Sequence, residues 1–233
     1  MVDSLSLSKP SVDYRKKWWV LAAVGLALFL GSLDGSIVNV AVATLMQSLH
    51  ADFPTVQWVI LSYLLTLTLL LVGVGRLADM LGKKSIFVTG IVVFLAGSAL
   101  CGLAPNVYWL IGFRVVQALG AAMIIALGTA ILTEAWPAHQ RGQVLGLAAG
   151  FISMGIVLGP VAGGLILSSL SWRWIFYVNI PVGVISWALA VVYLAPLPPQ
   201  NRNERFDWIG ASLMGVSLLA FTLAMTVGQN LGF

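Results

Sequence analysis

Charged residues are scarce in this chain. Only 9% of its 233 residues are Asp, Glu, Lys or Arg, whereas 60% are hydrophobic. A soluble domain carries about 25% charged residues, and so few charges do not cover a surface that faces water. The scarcity excludes an ordinary soluble domain and indicates an integral membrane protein, whose excess apolar surface faces the lipid bilayer.

Cysteine and histidine are also rare. The single cysteine, Cys101, excludes an intrachain disulfide, and His50 and His139 lie too far apart in sequence to suggest a metal site. No nucleophile–base set or phosphate-binding loop is visible, so we predict neither an enzyme nor a bound cofactor. The net charge of +4 comes without a basic patch interleaved with aromatic residues, and no nucleic-acid partner is expected.

Long apolar segments are what the chain does contain. Seven of them are long enough to cross ~30 Å of hydrocarbon as helices. They cover residues 18–47, 55–77, 85–104, 107–133, 142–167, 174–195 and 208–228. The sequence therefore predicts an all-α membrane protein.

The twelve Lys and Arg residues are unevenly distributed. If the helices alternate in direction, ten of them lie on the side of the N-terminus, Arg173 lies on the other side, and Arg114 lies inside a helix. The positive-inside rule then places the N-terminus in the cytoplasm. A cleaved signal peptide is the alternative for the first segment, but the apolar run is too long and an aspartate interrupts it. We expect a multi-pass protein of the cell (plasma or inner) membrane.

A polar, proline-containing linker divides the chain. We expect a cytoplasmic N-terminal segment at 1–17, a six-helix transmembrane bundle at 18–195, a cytoplasmic linker at 196–207 and a seventh helix within 208–233. One helix after a six-helix unit is an unusual place to stop, so we also expect the chain to be truncated.

Two charged residues lie inside predicted spans. Asp34 is 16 residues beyond Trp18, or about 24 Å along a helix, and Arg114 is 20 residues before Glu134, or about 30 Å. These depths, measured from the same side, differ by roughly one helical turn, so the two side chains can meet inside the bundle. An ionised group at mid-membrane costs about 2.5–3.5 kcal/mol, and pairing offsets part of that cost.

The pair has two interpretations. Burial favours the neutral form of a carboxylate and a nearby arginine favours the ionised form, so Asp34 can load and release a proton while Arg114 competes with it. The alternative is a static salt bridge that only joins two helices. Asn39 and Gln117 accompany the pair as candidate cavity-lining residues, or as donors and acceptors between helices.

Two glycine-containing stretches stand out on the remaining chain. GRLADMLGKK, at 75–84, predicts a tight connection between the second and third helices, where Asp79 is not needed for topology. In the fifth helix, Gly155, Gly159 and Gly163 recur at four-residue steps and predict a smooth face for close packing. Pro160 predicts a kink there.

Five stretches together resemble a known family. LDGSIVNVAV, GRLADMLGKK, RVVQALGAA, GFISMGIVLGPVAGG and WRWIFYVNIPVG appear in the order seen in the major facilitator superfamily, and their combination resembles its fourteen-helix drug–proton antiporter branch. The resemblance implies a six-helix N-terminal bundle of two inverted three-helix repeats, followed by one further helix. It also implies a missing C-terminal half that would complete the substrate cavity.

The resemblance implies roles for individual residues. Asp34 corresponds to the first-helix acid, and Arg114 and Gln117 to a fourth-helix motif linked to proton coupling. A motif that gates the cytoplasmic side corresponds to Gly75, Asp79, Gly82, Lys83 and Lys84. An antiporter motif in the fifth helix corresponds to Gly146, Gly155, Gly159, Pro160, Gly163 and Gly164.

The function implied is proton-coupled efflux of amphipathic small molecules by alternating access, a drug:H+ antiport. Two alternatives stay open. The chain can be a non-transporting membrane module, or part of a proton-coupled nutrient symporter of the same superfamily.

Overall fold

The computed structural model describes residues 16–195 and a few separate positions between 210 and 224. The predicted N-terminal segment, the linker and most of the predicted seventh helix lie outside the described residues. Within the described part the regular structure is helical, in agreement with the predicted all-α class.

Seven helices follow one another along the described chain. Six segments are long and apolar enough to cross a membrane, the last of them made of two consecutive helices. The helices are α1 (Lys17–Leu49), α2 (Phe53–Leu81), α3 (Lys83–Leu103), α4 (Val107–Ala135), α5 (Arg141–Ser169), α6 (Trp174–Tyr177) and α7 (Asn179–Tyr193). The first six predicted spans are confirmed.

Local sequence accounts for several helix ends. Asn106 precedes α4, and its side chain accepts a hydrogen bond from the Trp109 backbone N–H at 3.1 Å, as N-cap residues do. Pro54 occupies the first turn of α2, where a missing N–H costs nothing. Pro181 likewise lies in the first turn of α7, where its missing N–H interrupts the helical hydrogen bonds between α6 and α7, while the backbone at Val178 stays right-handed helical (φ −59°, ψ −25°).

Helix α1 lies at the centre of the bundle. It packs against α5, α7 and α4, while α3 and α2 pack against α4. In an apolar stretch of 18 residues from α1, 67% is buried, whereas in the corresponding stretches of α2 and α5 only 22% is buried. A charged side chain on α1 is therefore surrounded by protein, and α2 and α5 present outward apolar faces.

One end of the bundle is basic, and we call it the basic end. Lys17, at the start of α1, donates to the Gln140 side chain at 2.8 Å, just before α5 begins. Lys84, at the start of α3, donates to the backbone carbonyls of Val191 (2.9 Å) and Leu194 (2.5 Å), at the end of α7. Cations at helix C-termini are favourable for the helix dipole, and these contacts join the helices that end here.

Aromatic residues lie near both ends of the bundle. Trp19 stacks on Tyr193 at the basic end, with ring centroids 5.1 Å apart. At the opposite end Trp174 and Tyr177 meet edge to face, with centroids 5.7 Å apart. Two such groups are typical of the aromatic belts at the two membrane–water interfaces.

The connection between α2 and α3 is shorter than the sequence suggested. Gly75 and Asp79 lie inside α2, and Lys83 begins α3, so Gly82 is the only residue between the two helices. Its φ of 97° is strained for any residue with a side chain. The expected loop at 75–84 was therefore wrong in extent, while the tight connection at Gly82 is confirmed.

The predicted glycine face of α5 packs on α1. A Cβ atom at Gly155 would lie 2.6 Å from the Phe29 carbonyl oxygen, and one at Gly159 would overlap the Ser36 side chain. The Ser36 hydroxyl lies 3.2 Å from the Gly155 carbonyl oxygen, to which it donates. Gly163 continues the stripe, so α1 and α5 approach as closely as small residues allow.

The remaining members of that motif differ. A Cβ atom added at Gly146 or Gly164 would meet no other atom within 4 Å, and both glycines lie on the exposed side of α5. Helix α5 is one uninterrupted helix through Pro160, which is also exposed. Only three of the motif's glycines therefore serve the α1–α5 interface.

We predict that Gly159→Leu destabilises the protein and Gly164→Leu does not. The new side chain at position 159 would displace α1, and overpacking of this kind costs about 1–3 kcal/mol. Thermal unfolding in detergent, followed by size-exclusion chromatography of heated samples, measures the difference. Equal midpoints for the two variants would contradict the assigned interface.

Candidate functional site

The two intramembrane charges form an ion pair. Arg114 on α4 donates through Nη1 to Asp34 Oδ2 on α1 at 2.5 Å. The side chains are 1% and 0% exposed, so neither contacts lipid or bulk water. The structure thus brings together the two residues that the sequence placed at similar depths.

Two amide side chains complete the coordination of the carboxylate. Asp34 Oδ1 accepts from Gln117 Nε2 at 2.8 Å and from Asn179 Nδ2 at 2.9 Å. With Arg114, three donors from α4 and α7 converge on one carboxylate. These hydrogen bonds pair both carboxylate oxygens and compensate much of the cost of burying them.

Ser98 on α3 is the second centre of this network. Its hydroxyl accepts from Gln117 Nε2 (3.2 Å) and Asn179 Nδ2 (3.0 Å), and it donates to the Phe176 carbonyl at 2.8 Å. Hydrogen bonds therefore connect α1, α3, α4, α6 and α7 through one buried cluster. We call Asp34, Ser98, Arg114, Gln117 and Asn179 the buried polar cluster.

The guanidinium of Arg114 has further partners. Its Nε donates to the Val59 carbonyl of α2 at 3.2 Å, and its Nη1 also reaches Gln117 Oε1 at 2.8 Å. The guanidinium carbon lies 4.0 Å from the ring centre of Tyr63, a cation–π distance. Arg114 thus keeps several contacts that do not depend on Asp34.

The cluster lies closer to the end opposite the basic end. Arg114 is seven residues into α4, or about 10 Å from where that helix begins at this end. Asn179 is the first residue of α7, and one residue, Val178, separates it from α6. Asp34 is therefore hydrogen-bonded to the residue at which α6 meets α7, as well as to α4.

The two charges depend on each other. Removing one member of a buried ion pair costs about 3–5 kcal/mol, because the other charge is left unpaired. Arg114 has further partners on α2 and α4, whereas the partners of the Asp34 carboxylate are Arg114 and two amide groups.

The two predicted cavity-lining residues behave differently. Gln117 is fully buried and bonded to Asp34, so it belongs to the cluster and does not line an open cavity. Asn39 is exposed on α1, about 140° around the helix from Asp34, and its amide donates to the Gly35 carbonyl at 3.2 Å. The structure does not bring Asn39 into the cluster.

The residues expected to gate the cytoplasmic side form a separate charged group. Lys83 pairs with Glu134 at the end of α4, and its Nζ lies 3.8 Å from Asp79 Oδ1. Lys84 bonds the end of α7, whereas a Cβ at Gly75 would meet open space. Lys83 and its two acids thus connect α2, α3 and α4 at the basic end.

Sequence reasoning missed the part that four residues play in these sites. Ser98 and Tyr63 gave no signal, because a lone Ser or Tyr is common in a membrane helix. Asn179 was noted only as part of a motif, although an amide in an apolar run is itself a signal for a buried partner. Glu134 was used only to measure depth.

Among the described residues no cluster of His, Cys, Asp and Glu is suited to hold a metal ion.

Known proteins resemble this chain over nearly its full length. The Major Facilitator Superfamily profile matches residues 24–228. An uncharacterized MFS-type transporter of Mycobacterium tuberculosis is 36% identical over 99% of this chain and 39% of its own length. The riboflavin transporter RibZ of Clostridioides difficile is 34% identical over 93% of this chain and 47% of its own length.

A multidrug protein and a solved structure add to these. Multidrug resistance protein 3 of Bacillus subtilis is 35% identical over 88% of this chain and 40% of its own length. The crystal structure of a bacterial homologue of the human lysosomal transporter Spinster, inward-facing and unoccupied, superimposes with a TM-score of 0.60 at 20% identity. That match covers 84% of this chain and 45% of the other.

The chain thus spans less than half the length of each of these relatives. The profile match, the identities above 30% and the six-span helical fold agree with one another. The family is one of membrane transporters and not of enzymes. This chain belongs to the major facilitator superfamily.

Proposed function

We propose that this chain is the N-terminal part of a proton-coupled efflux transporter that exchanges protons for amphipathic small molecules. The observation that carries the proposal is the buried ion pair of Asp34 and Arg114, with Arg114 Nη1 2.5 Å from the carboxylate. An ionisable pair inside a membrane domain is costly and marks a functional site by default.

The cluster supplies a physical route for coupling. A proton that reaches Asp34 removes its negative charge and weakens its attraction to Arg114. Arg114 stays bound to the Val59 carbonyl of α2. Protonation therefore weakens the contact between α1 and α4, whereas the contact between α4 and α2 is kept. A state with Asp34 neutral and a state with Asp34 ionised then differ in their preferred packing of α1. Differential affinity for protons and substrate across such states gives exchange.

The glycine face of α5 supports the same mechanism. Gly155, Gly159 and Gly163 bring α5 against α1, and on the α1 side Ser32, Ser36 and Ile37 pack over them. A smooth contact keeps the two helices together while α1 changes its position relative to α4. The resemblance of this helix to an antiporter motif favours exchange over symport.

The charged group at the basic end is the proposed cytoplasmic gate. Asp79, Lys83 and Glu134 connect three helices through contacts that an orientation change would have to rearrange. With the resemblance, this group supports a role for Gly75, Asp79, Gly82, Lys83 and Lys84 in closing the cytoplasmic side. The partners would include a C-terminal half of the transporter.

Substrate class rests on the relatives. Multidrug resistance protein 3 and the multidrug transporter protein MdtP of Bacillus subtilis are named for multidrug transport, which favours amphipathic drugs. The name of RibZ favours a nutrient as the second candidate. Counterflow of ethidium and of riboflavin, under an imposed pH gradient, separates the two substrate classes and gives the direction of transport.

Replacing Asp34 by asparagine tests the proton role. In the protein expressed from its complete reading frame, Asp34→Asn should abolish pH-driven ethidium efflux from vesicles while the protein stays in the membrane, because the amide keeps the shape and loses the titratable group. The matched control is Asp52→Asn, which alters an exposed carboxylate before α2. Undiminished efflux in Asp34→Asn would reject the assigned role.

A double variant separates coupling from a static salt bridge. Arg114→Gln alone leaves Asp34 buried without its cation and should lower stability by about 3–5 kcal/mol. Adding Asp34→Asn removes the unpaired charge, so the double variant should regain thermal stability but not pH-driven efflux. Recovery of both stability and efflux would favour a pair that only joins α1 to α4.

Orientation is tested by labelling with a membrane-impermeant maleimide. Positive-inside topology places the basic end, and the N-terminus, in the cytoplasm of a cell with this protein in its plasma or inner membrane. Ser171→Cys, at the opposite end, should react in intact cells, and Lys16→Cys only after permeabilisation. The chain's own cysteine, Cys101, is buried and serves as the unlabelled background. The reverse labelling pattern would contradict this topology.

A further inference from the structure

The side-chain amide of Asn179 is only half used. Its Nδ2 donates to Asp34 Oδ1 at 2.9 Å and to Ser98 Oγ at 3.0 Å, which accounts for both hydrogens. The residue is completely buried, and its Oδ1 has no hydrogen-bond partner. Buried polar atoms are nearly always hydrogen-bonded. An unused acceptor on the same amide group that donates to the Asp34 carboxylate therefore needs an explanation.

The donors and acceptors around Asp34 fit only its ionised form. Arg114, Gln117 and Asn179 all donate to it. A protonated Asp34 carries an O–H group and needs an acceptor in place of one of these donors. Gln117 Oε1 already accepts from Arg114 and from Cys101 Sγ, at 2.8 and 3.6 Å. The unused acceptor in the cluster is Asn179 Oδ1.

We propose that Asn179 is a positioning residue that responds to the charge state of Asp34 by turning its carboxamide. In the ionised state Nδ2 donates to the carboxylate. After Asp34 gains a proton, the amide turns, and Oδ1 accepts from the Asp34 O–H and from the Ser98 hydroxyl. Nδ2 then takes the position that Oδ1 leaves, so the unpaired amide atom is Nδ2 in the protonated state and Oδ1 in the ionised state. This inference deepens the proposed function and rests on Asp34 being the proton carrier.

The turn has a defined structural consequence. Ser98 at present donates to the Phe176 carbonyl at 2.8 Å, and it would give up that bond to Asn179. The Phe176 carbonyl would lose this side-chain donor, and the neighbouring Val178 N–H does not replace it, because it donates to the Trp174 carbonyl at 3.0 Å. Protonation of Asp34 on α1 thereby changes the hydrogen bonds of Phe176 and Asn179, on the two sides of the α6–α7 junction.

No other titratable group competes for this role within the described part of the chain. On α4 Arg114 is the counter-ion, and on α2 Tyr63 donates its hydroxyl to the Gly31 carbonyl at 3.4 Å. On α3 Cys101 contacts Gln117 and not Asp34. Helix α5 approaches α1 through glycines, and α7 carries Tyr193 at the far, basic end. In the α6 segment Tyr177 packs against Trp174.

Infrared difference spectroscopy tests the inference in the protein expressed from its complete reading frame and reconstituted in lipid. Acidification should produce a carboxylic-acid C=O band that Asp34→Asn removes. In Asn179→Leu this band should move to higher frequency, because the acid has lost its acceptor. The matched control, Ser186→Ala, removes a buried hydroxyl of α7 that donates to the Ala23 carbonyl at 2.8 Å, and it should leave the band in place.

Transport provides the second readout. With the amide gone, pH-driven ethidium efflux should fall about tenfold in Asn179→Leu, as expected for one buried hydrogen bond lost from one of two states. Ethidium binding at constant pH should stay within twofold of the unmodified protein. Asn179→Thr retains a hydroxyl that can accept from Asp34, and it should restore both the band position and most of the efflux.

The outcomes distinguish this inference from the proposed function. An Asp34 band whose position is the same in Asn179→Leu and in the unmodified protein would overturn the role of Asn179 and leave Asp34 as proton carrier. If no Asp34 band forms on acidification, the proposed function fails first.

A further measurement covers the case in which Asn179→Leu does not fold. With isotope-labelled asparagine in the unmodified protein, the amide C=O component that Asn179→Thr removes should shift to lower frequency on acidification. A component that does not move would also overturn the inference.

Discussion

A buried carboxylate held by three donors is the feature on which the rest of the structure depends. Asp34 has no exposed surface, so every polar contact it needs comes from neighbouring helices. Arg114, Gln117 and Asn179 supply those contacts and thereby set the rotation of α4 and the position of α7 relative to α1. The cluster therefore specifies how α1, α4 and α7 pack together.

The helices around the cluster keep Asp34 buried and hydrogen-bonded. Because α1 is the most buried helix, its charge is kept from lipid. Glycines on α5 let that helix approach α1 without adding polar groups near Asp34. The first residue of α7, Asn179, supplies a donor to the carboxylate from a third helix. At the basic end, away from the cluster, Lys17, Lys83 and Lys84 make further contacts between helices of the bundle.

Sequence alone anticipated the framework of this molecule. Six spans followed from apolar length, and the depth of Asp34 and Arg114 from counting residues along two helices. The glycine stripe followed from its four-residue period. These are properties of single helices, and they follow from the spacing of residues along the sequence.

What the sequence did not reveal depends on how helices face one another. Ser98 and Tyr63 are ordinary residues until α3 and α2 turn them toward Arg114 and Gln117. Gln117 reads equally well as a cavity residue or as part of a buried network, and only the packing of α4 against α1 decides between them. The extent of α2 through Asp79 was missed because Gly75 looked like a turn residue, although a glycine is tolerated inside a membrane helix.

The central claim is that Asp34 holds either a proton or Arg114, and that substrate shifts the balance. Proton release on substrate binding tests it most directly. Ethidium is added to the purified protein in weakly buffered detergent, and a pH indicator counts the protons released. The account predicts release from the unmodified protein and none from Asp34→Asn. Equal release from both proteins would contradict it.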